Sequence, residues 1–132
     1  MLKHHILTAG DILTKVCHEA SYNAGWWTDK KGQDQTLPHV MEEQNLVPVK
    51  LSLIHSEISE GLEGYRKDQN DDHLPHRKML EVELADAVIR IFDLAGALKY
   101  DLGSAIQEKL AYNSQRADHK LENRRAAGGK KI

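Results

Sequence analysis

Apolar residues recur at three- and four-residue steps along most of this chain, which is the spacing of one face of an α-helix. Runs of β-branched residues are short, and Ala, Leu, Glu and Lys dominate the periodic stretches, which also favours helix. The pattern predicts four helices, over residues 9–24, 48–67, 77–99 and 102–121. We therefore expect an all-α fold, a four-helix bundle-like domain.

The segments around these helices suggest where the domain ends. A single domain is predicted over residues 1–121, and residues 122–132 are basic with little to bury, so they are expected to form a flexible tail. The polar connector after the first helix ends near Pro38 and is long for a helical domain, which is typical of functional loops.

Two glycines stand within the second predicted helix. Its apolar stripe consists of Val47, Leu51, Ile54, Ile58, Leu62 and Tyr65. Gly61 and Gly64 lie to one side of that stripe. Because glycine costs about 0.5–1 kcal/mol in a helix interior relative to alanine, two of them predict close approach by another helix or by a ligand.

Four carboxylates form two short motifs, Glu57-x-x-Glu60 and Glu83-x-x-Asp86. An i, i+3 pair lies on one helix face, so two pairs on neighbouring helices would bring all four acids together. Without a cation this cluster is costly, because like charges repel and desolvated carboxylates lose hydration energy. Mg²⁺ takes carboxylate oxygens and water as ligands, so the motifs indicate a Mg²⁺ site, with Mn²⁺ as a possible substitute.

The acids also fit two other kinds of site. Asp86 and Arg90 are four residues apart and could form a surface ion pair that needs no metal. However, the third helix is apolar on two sides and leaves only a narrow polar strip for its acids, which fits a solvated face poorly. Di-iron bundles need Glu-x-x-His, which the chain lacks, and it has no zinc-type Cys or His motif.

Composition excludes several classes of function. The net charge of −2 over 132 residues provides no global basic field for nucleic acid. No apolar run approaches a membrane span, and the N-terminus lacks the apolar core of a secretory signal. Cys17 is alone, so an intrachain disulfide is impossible. A cytoplasmic protein without membrane or nucleic-acid partners is expected.

Two further groups of residues suit a nucleotide. Lys109, Asn113 and Arg116 share one face of the fourth helix, where two cations and an amide could contact phosphate and sugar, although a solvated basic face would look the same. Either Trp26 or Trp27 could stack on a nucleobase, while the other packs in the core.

Taken together, these motifs resemble the MazG-like, all-α nucleoside triphosphate pyrophosphatases, a superfamily that includes dimeric dUTPases. Its hallmark is E-x-x-E followed after a variable gap by E-x-x-D, and here 22 residues, 61–82, separate the two motifs. The segment from Glu108 to Arg116 resembles the family's downstream phosphate-contacting segment. The resemblance covers residues 47–120 well and the two tryptophans more loosely.

The resemblance implies Mg²⁺-dependent hydrolysis of a (deoxy)nucleoside triphosphate to the monophosphate and pyrophosphate. It assigns metal binding and catalysis to the four acids, Glu57, Glu60, Glu83 and Asp86, and substrate contacts to Lys109, Asn113, Arg116, Trp26 and Trp27. Family members pack helices from two subunits, so a homodimer or homotetramer is expected. The alternative is a non-catalytic helical module of the same fold that binds a nucleotide or a protein.

Overall fold

A computed structural model describes residues 2–132; Met1, the first residue of the predicted domain, lies outside the described residues. The described part contains six α-helices and no strand: α1 (Leu2–Asn23), α2 (Pro38–Glu43), α3 (Leu46–Arg66), α4 (Met79–Ala97), α5 (Leu102–Gln115) and α6 (Leu121–Arg125). The predicted all-α fold is confirmed. None of these helices is both long enough and apolar enough to cross a bilayer.

The chain forms two compact units. The larger unit, residues 12–100, holds most of α1 together with α2, α3 and α4. The smaller unit consists of residues 2–11 and 101–132 and contains α5 and α6. The four predicted acids, Glu57, Glu60, Glu83 and Asp86, all belong to the larger unit.

Helices α3 and α4 pack closely because two glycines of α3 face α4. A Cβ atom on Gly64 would lie 2.7 Å from the Cβ of Met79, and one on Gly61 would lie 3.2 Å from Cδ1 of Leu80 and 3.3 Å from the Cβ of Glu83. Even alanine at Gly64 would overlap its neighbour, so larger residues would force the helices apart. Of the two explanations for these glycines, close approach by another helix is confirmed.

The core of the larger unit lies beside this helix pair. Buried Trp27 packs with Met41 of α2 and with Leu94 and Ala97 of α4. Oδ1 of Asp93 lies 2.8 Å from Nε1 of Trp27, which donates to it, and 2.8 Å from Nδ1 of His18. These contacts attach α1 and the segment that follows it to α4.

Much of the apolar surface of α3 and α4 remains exposed in the single chain. On α3 most of the apolar stripe faces outward: Leu51, Ile58, Leu62 and Tyr65 are exposed, and Tyr65 retains 70% of its surface. On α4, Leu84, Val88, Ile89 and Ile91 are exposed as well. The buried positions of α3 are instead Glu57, Gly61 and Gly64, which face α4. The two helices therefore bury Glu57 and Glu83, while these apolar side chains remain exposed among residues 2–132.

Several boundaries differ from the sequence prediction. Helix α1 begins seven residues earlier, at Leu2, and a helical segment that was predicted as loop, Pro38–Glu43, places Val40 and Met41 in the interior. Pro38 occupies the first turn of this helix, where its missing N–H costs nothing. The fourth predicted helix ends at Gln115 instead of residue 121, because Arg116 is extended.

In the smaller unit, α5 begins at Leu102 as predicted, and the preceding Asp101 caps it, since its Oδ1 accepts a hydrogen bond from the Ser104 N–H at 3.0 Å. After α5 come a short 3₁₀ turn, Ala117–His119, and α6. The predicted flexible tail, residues 122–132, thus includes most of a helix, and Nζ of Lys130 lies 2.8 Å from Oδ2 of Asp118.

Candidate metal centre

Three of the four predicted acids meet at the contact between α3 and α4. Carboxylate oxygens of Glu57, Glu60 and Glu83 all lie within 4.8 Å of one another. Glu57 and Glu83 are buried, with 7% and 8% of their surface exposed, whereas Glu60 is exposed. The two motifs are therefore brought together across the helix pair, as their spacing predicted.

Glu83 lacks a compensating partner. Its Oε2 atom is buried and has no hydrogen-bond partner within residues 2–132. Burial, contact with the Glu57 carboxyl group, and the charges of Glu60 and Asp86 together raise the pKa of Glu83 to about 7. A contact between two carboxyl groups is a hydrogen bond only when one of them holds a proton. The surroundings of Glu83 therefore favour its protonated form more than water does.

Asp86 lies next to the three clustered acids. Burial and the charge of Glu57 raise its pKa, Arg90 opposes that effect, and Asp71 adds to it. Asp86 and the three acids line one cavity of about 580 Å³, here called the acid cavity, together with Asp71, Asp72, His73, Leu74, Met79 and Val82. The fourth predicted acid thus faces the same space as the other three.

The turn between α3 and α4 shapes one wall of the acid cavity. Asp71 is buried, and its Oδ2 accepts backbone hydrogen bonds from His73 at 2.9 Å and Leu74 at 2.7 Å. Its own backbone N–H donates to the Arg77 carbonyl at 3.0 Å. Asp71 therefore holds the turn in place beside the acids. The aspartates of this turn are typical turn residues, because an Asp side chain accepts hydrogen bonds from backbone N–H groups that follow it.

Arg90 provides the one guanidinium that bonds to this cluster in the described part of the chain. Its Nε donates to Oε1 of Glu57 at 2.5 Å, from α4 to α3. The same-helix pairing with Asp86 that the spacing suggested is replaced by this cross-helix contact. The simple surface ion pair is therefore not what the acids form, and one arginine faces four carboxylates.

A second cavity, of about 520 Å³, shares Glu57 and Asp86 with the first and is called the side cavity. Its wall also includes Trp26, Lys50 and Arg90, and its other lining residues are Cys17, Ala20, Ser21, Ala24, Leu53, Ile89 and Asp93. The acid cavity and the side cavity therefore adjoin at two of the predicted metal ligands.

The two tryptophans have different environments. Trp27 has no exposed surface, and its Nε1 donates to Asp93. Trp26 is 72% exposed and lines the side cavity. In this conformation Trp26 is the one that offers a ring to a ligand, and base stacking by either residue stays a prediction.

The predicted phosphate-contacting residues lie on α5 in the smaller unit. Nζ of Lys109 is 4.7 Å from the ring centre of Tyr112. Arg116 bonds to Asp118 through Nε at 3.0 Å and through Nη2 at 2.7 Å. Oδ1 of Asn113 is buried without a hydrogen-bond partner in the described chain. Their role in substrate binding stays a prediction.

The donor set fits a hard divalent cation. All four predicted ligands carry carboxyl groups and line the acid cavity, and Oε2 of Glu83 is buried without a hydrogen-bond partner in the described residues. Within those residues Arg90 is the one cation that bonds to them. Oxygen ligands of this kind suit Mg²⁺ or Mn²⁺, and a cation would remove the repulsion that raises the pKa of Glu83. Chemically, such a centre can bind phosphate oxygens and activate water.

Comparison of the chain with protein-family models, with curated proteins and with solved structures found no match in any of the three.

Proposed function

We propose that this protein is a Mg²⁺-dependent nucleoside triphosphate pyrophosphohydrolase, which cleaves a (deoxy)nucleoside triphosphate to the monophosphate and pyrophosphate. The observation that carries the proposal is the buried, unpartnered Oε2 of Glu83 within a cluster of carboxylates from two helices. The resemblance of both acid motifs to the MazG-like pyrophosphatases supports the choice of this reaction.

In this proposal Glu57, Glu60, Glu83 and Asp86 hold the cation, and one of them or a neighbouring acid orients the attacking water. The bound Mg²⁺ would neutralise triphosphate charge and lower the pKa of a coordinated water. Close packing of α3 on α4 fixes the spacing of the carboxylates before the metal binds, which is the preorganisation that electrostatic catalysis requires. Mn²⁺ could replace Mg²⁺ with the same ligands.

In this proposal other side chains than the four acids also contact the nucleotide. Lys109, Asn113 and Arg116 would contact its phosphates or sugar, and Trp26 would border its base. The buried, unpartnered Oδ1 of Asn113 supports a role for that amide in binding a donor group. The proposed setting is the cytoplasm, where Cys17 would stay reduced.

We also propose that the active form is a homodimer or homotetramer. The support is the exposed apolar side of α3 and α4, with Leu51, Ile58 and Leu62 on the first helix and Leu84 and Val88 on the second. A surface of this kind along two neighbouring helices is unusual for a monomer and typical of subunit contacts. Sedimentation equilibrium would measure the state directly, and a monomer at micromolar concentration would contradict it.

The first test is a screen of standard and modified nucleoside triphosphates with Mg²⁺ and with EDTA, in which released pyrophosphate is measured. We expect Mg²⁺-dependent release from at least one nucleotide. Glu60→Gln and Asp86→Asn should each lower turnover by on the order of a hundredfold or more, since each removes a charge from the metal centre.

Glu81→Gln is the matched control, because exposed Glu81 is on the same helix as Asp86 but pairs with Arg77 at 2.7 Å. It should keep wild-type turnover. Tight nucleotide binding without any product would instead favour the non-catalytic module, and wild-type turnover by Glu60→Gln would show that the assigned site is wrong.

A further inference from the structure

The side cavity holds two cations that the acid motifs do not account for. Lys50 of α3 and Arg90 of α4 both line it, next to Glu57 and Asp86. Neither cation belongs to the predicted phosphate-contacting group on α5. Both cations lie beside the acid cluster, where a bound anion could contact them.

Lys50 is a half-buried ammonium group without a carboxylate partner. Its Nζ lies 4.2 Å from the ring centre of Trp27 and 3.5 Å from the backbone oxygen of Trp26. Within residues 2–132 it forms no ion pair, and burial lowers its pKa, with Asp93 opposing and Arg90 adding to that effect. Holding a cation in such a place is unfavourable unless an anion reaches it.

Arg90 is held by one nitrogen and leaves two nitrogens available. Its Nε is bonded to Glu57, while its terminal nitrogens form no hydrogen bond within the described residues. The side chain is 42% exposed. Glu57 therefore fixes the orientation of the guanidinium, and the free fork can bind two oxygens of one phosphate group.

We propose that the side cavity is an anion subsite, in which Lys50 and Arg90 bind a phosphate group of the nucleotide adjacent to the metal centre. This inference rests on the proposed function, because Glu57 and Asp86 in the shared wall would repel an anion until a divalent cation neutralises them. The third carboxylate of the side cavity, Asp93, instead accepts a hydrogen bond from Trp27 and lies 2.8 Å from Nδ1 of His18. Phosphate binding in the side cavity therefore depends on the metal.

Titration calorimetry of inorganic pyrophosphate and of a nucleoside monophosphate, each in excess Mg²⁺, tests the subsite. Lys50→Met should weaken binding of at least one of the two by about tenfold or more, since a charge-assisted phosphate contact is lost. Loss for pyrophosphate assigns the subsite to the leaving group, and loss for the monophosphate assigns it to the α-phosphate. Lys50→Arg should restore most of the affinity, because it keeps the positive charge.

Matched variants separate this role from a structural one. Lys67→Met is the control, since Nζ of Lys67 pairs with Glu63 on the exposed surface at the end of α3. Lys50→Met should melt near the wild-type temperature, because its apolar stem can still pack on Trp27. Lys109→Met is measured in parallel to probe the predicted phosphate contacts of α5.

The outcomes also separate the subsite from the proposed function. Unchanged binding of both anions by Lys50→Met overturns the subsite, as does the absence of any binding to the wild type at millimolar concentration in Mg²⁺. If Lys50→Met then still hydrolyses nucleotides with wild-type KM, the proposed function stands without it. If both anions bind through Lys50 and no nucleotide is cleaved, the subsite stands and hydrolysis fails.

Discussion

Two clusters of charged residues in this chain have opposite balances of charge. Asp118, in the smaller unit, bonds to Arg116 at 2.7 Å and to Lys130 at 2.8 Å, and these cations hold its pKa well below its usual range. Glu83, in the larger unit, has other carboxyl groups as its charged neighbours, and its pKa is raised to about 7. In the described residues the first cluster sets two cations against one carboxylate, whereas the second sets the single guanidinium of Arg90 against four carboxyl groups.

The difference separates ion pairs that are complete within the fold from carboxylates that lack enough cations. Exposed pairs such as those of Asp118 stabilise a protein little, because water already solvates each charge. Buried carboxylates that lie close together cost free energy, which is why we propose that those around Glu83 bind a cation. Sequence spacing alone does not make this distinction, because acids at i, i+3 are common on helices.

The largest expected effect comes from Glu57→Gln, because Glu57 lines both cavities and holds Arg90. We expect nucleotide turnover to fall by roughly a thousandfold, since a metal ligand and the orientation of Arg90 are lost together. Steady-state pyrophosphate release measures the effect, with circular dichroism to verify the helix content. Turnover within a factor of about two of wild type would place the chemistry elsewhere.

The second largest effect concerns the free energy of unfolding and its dependence on pH. Because the pKa of Glu83 is raised and that of Asp118 is lowered, the two groups should change this free energy in opposite directions. Glu83 loses its proton near pH 4.5 when unfolded and near pH 7 in the metal-free fold. Its contribution to the free energy of unfolding is therefore largest below pH 4.5 and is lost as the pH rises through 7. In EDTA the protein should be less stable at about pH 8 than at about pH 5 by on the order of 2 kcal/mol.

Urea denaturation in EDTA measures this dependence, and Glu83→Gln, which cannot ionise, is the control that should flatten it. Asp118 behaves in the reverse way, since its lowered pKa gives stability that is lost only as the pH falls below 3.8. A metal-free protein that becomes more stable between about pH 5 and pH 8 would contradict the raised pKa of Glu83.

The smallest effect is expected from Asp118→Asn. The group is exposed, so its ion pairs contribute little, and the melting temperature should change only slightly. Its Mg²⁺-dependent stabilisation should equal that of the wild type, as measured by thermal denaturation with Mg²⁺ and with EDTA. A loss of that stabilisation would mean that the two clusters are not independent.

Much of the fold and part of the site could be predicted from periodicity. The apolar spacing identified four helices, and the two glycines of α3 indicated the close contact that brings Glu57 and Glu60 to Glu83. The short helix Pro38–Glu43 was missed because six residues are too few to show a helical period.

The partner of Arg90 could not be predicted either. Spacing pointed to Asp86 on the same helix, but the bond to Glu57 depends on how α3 and α4 are packed. The side cavity and the position of Lys50 in it could not be predicted for the same reason, since a cavity is formed by the surfaces of several elements. Local patterns thus predicted which acids share a helix face. The packing of the helices determined which side chains those acids contact.

The most direct test is calorimetric titration of Mg²⁺ into the wild type and Glu83→Gln near pH 7, in two buffers of different ionisation enthalpy. We expect the wild type to bind Mg²⁺ with release of roughly half a proton, because Glu83 is then about half protonated. Glu83→Gln should bind at least about tenfold more weakly and release no proton from this position. Equal Mg²⁺ affinity of the two proteins, or no Mg²⁺ binding by the wild type, would contradict a metal centre at the α3–α4 contact.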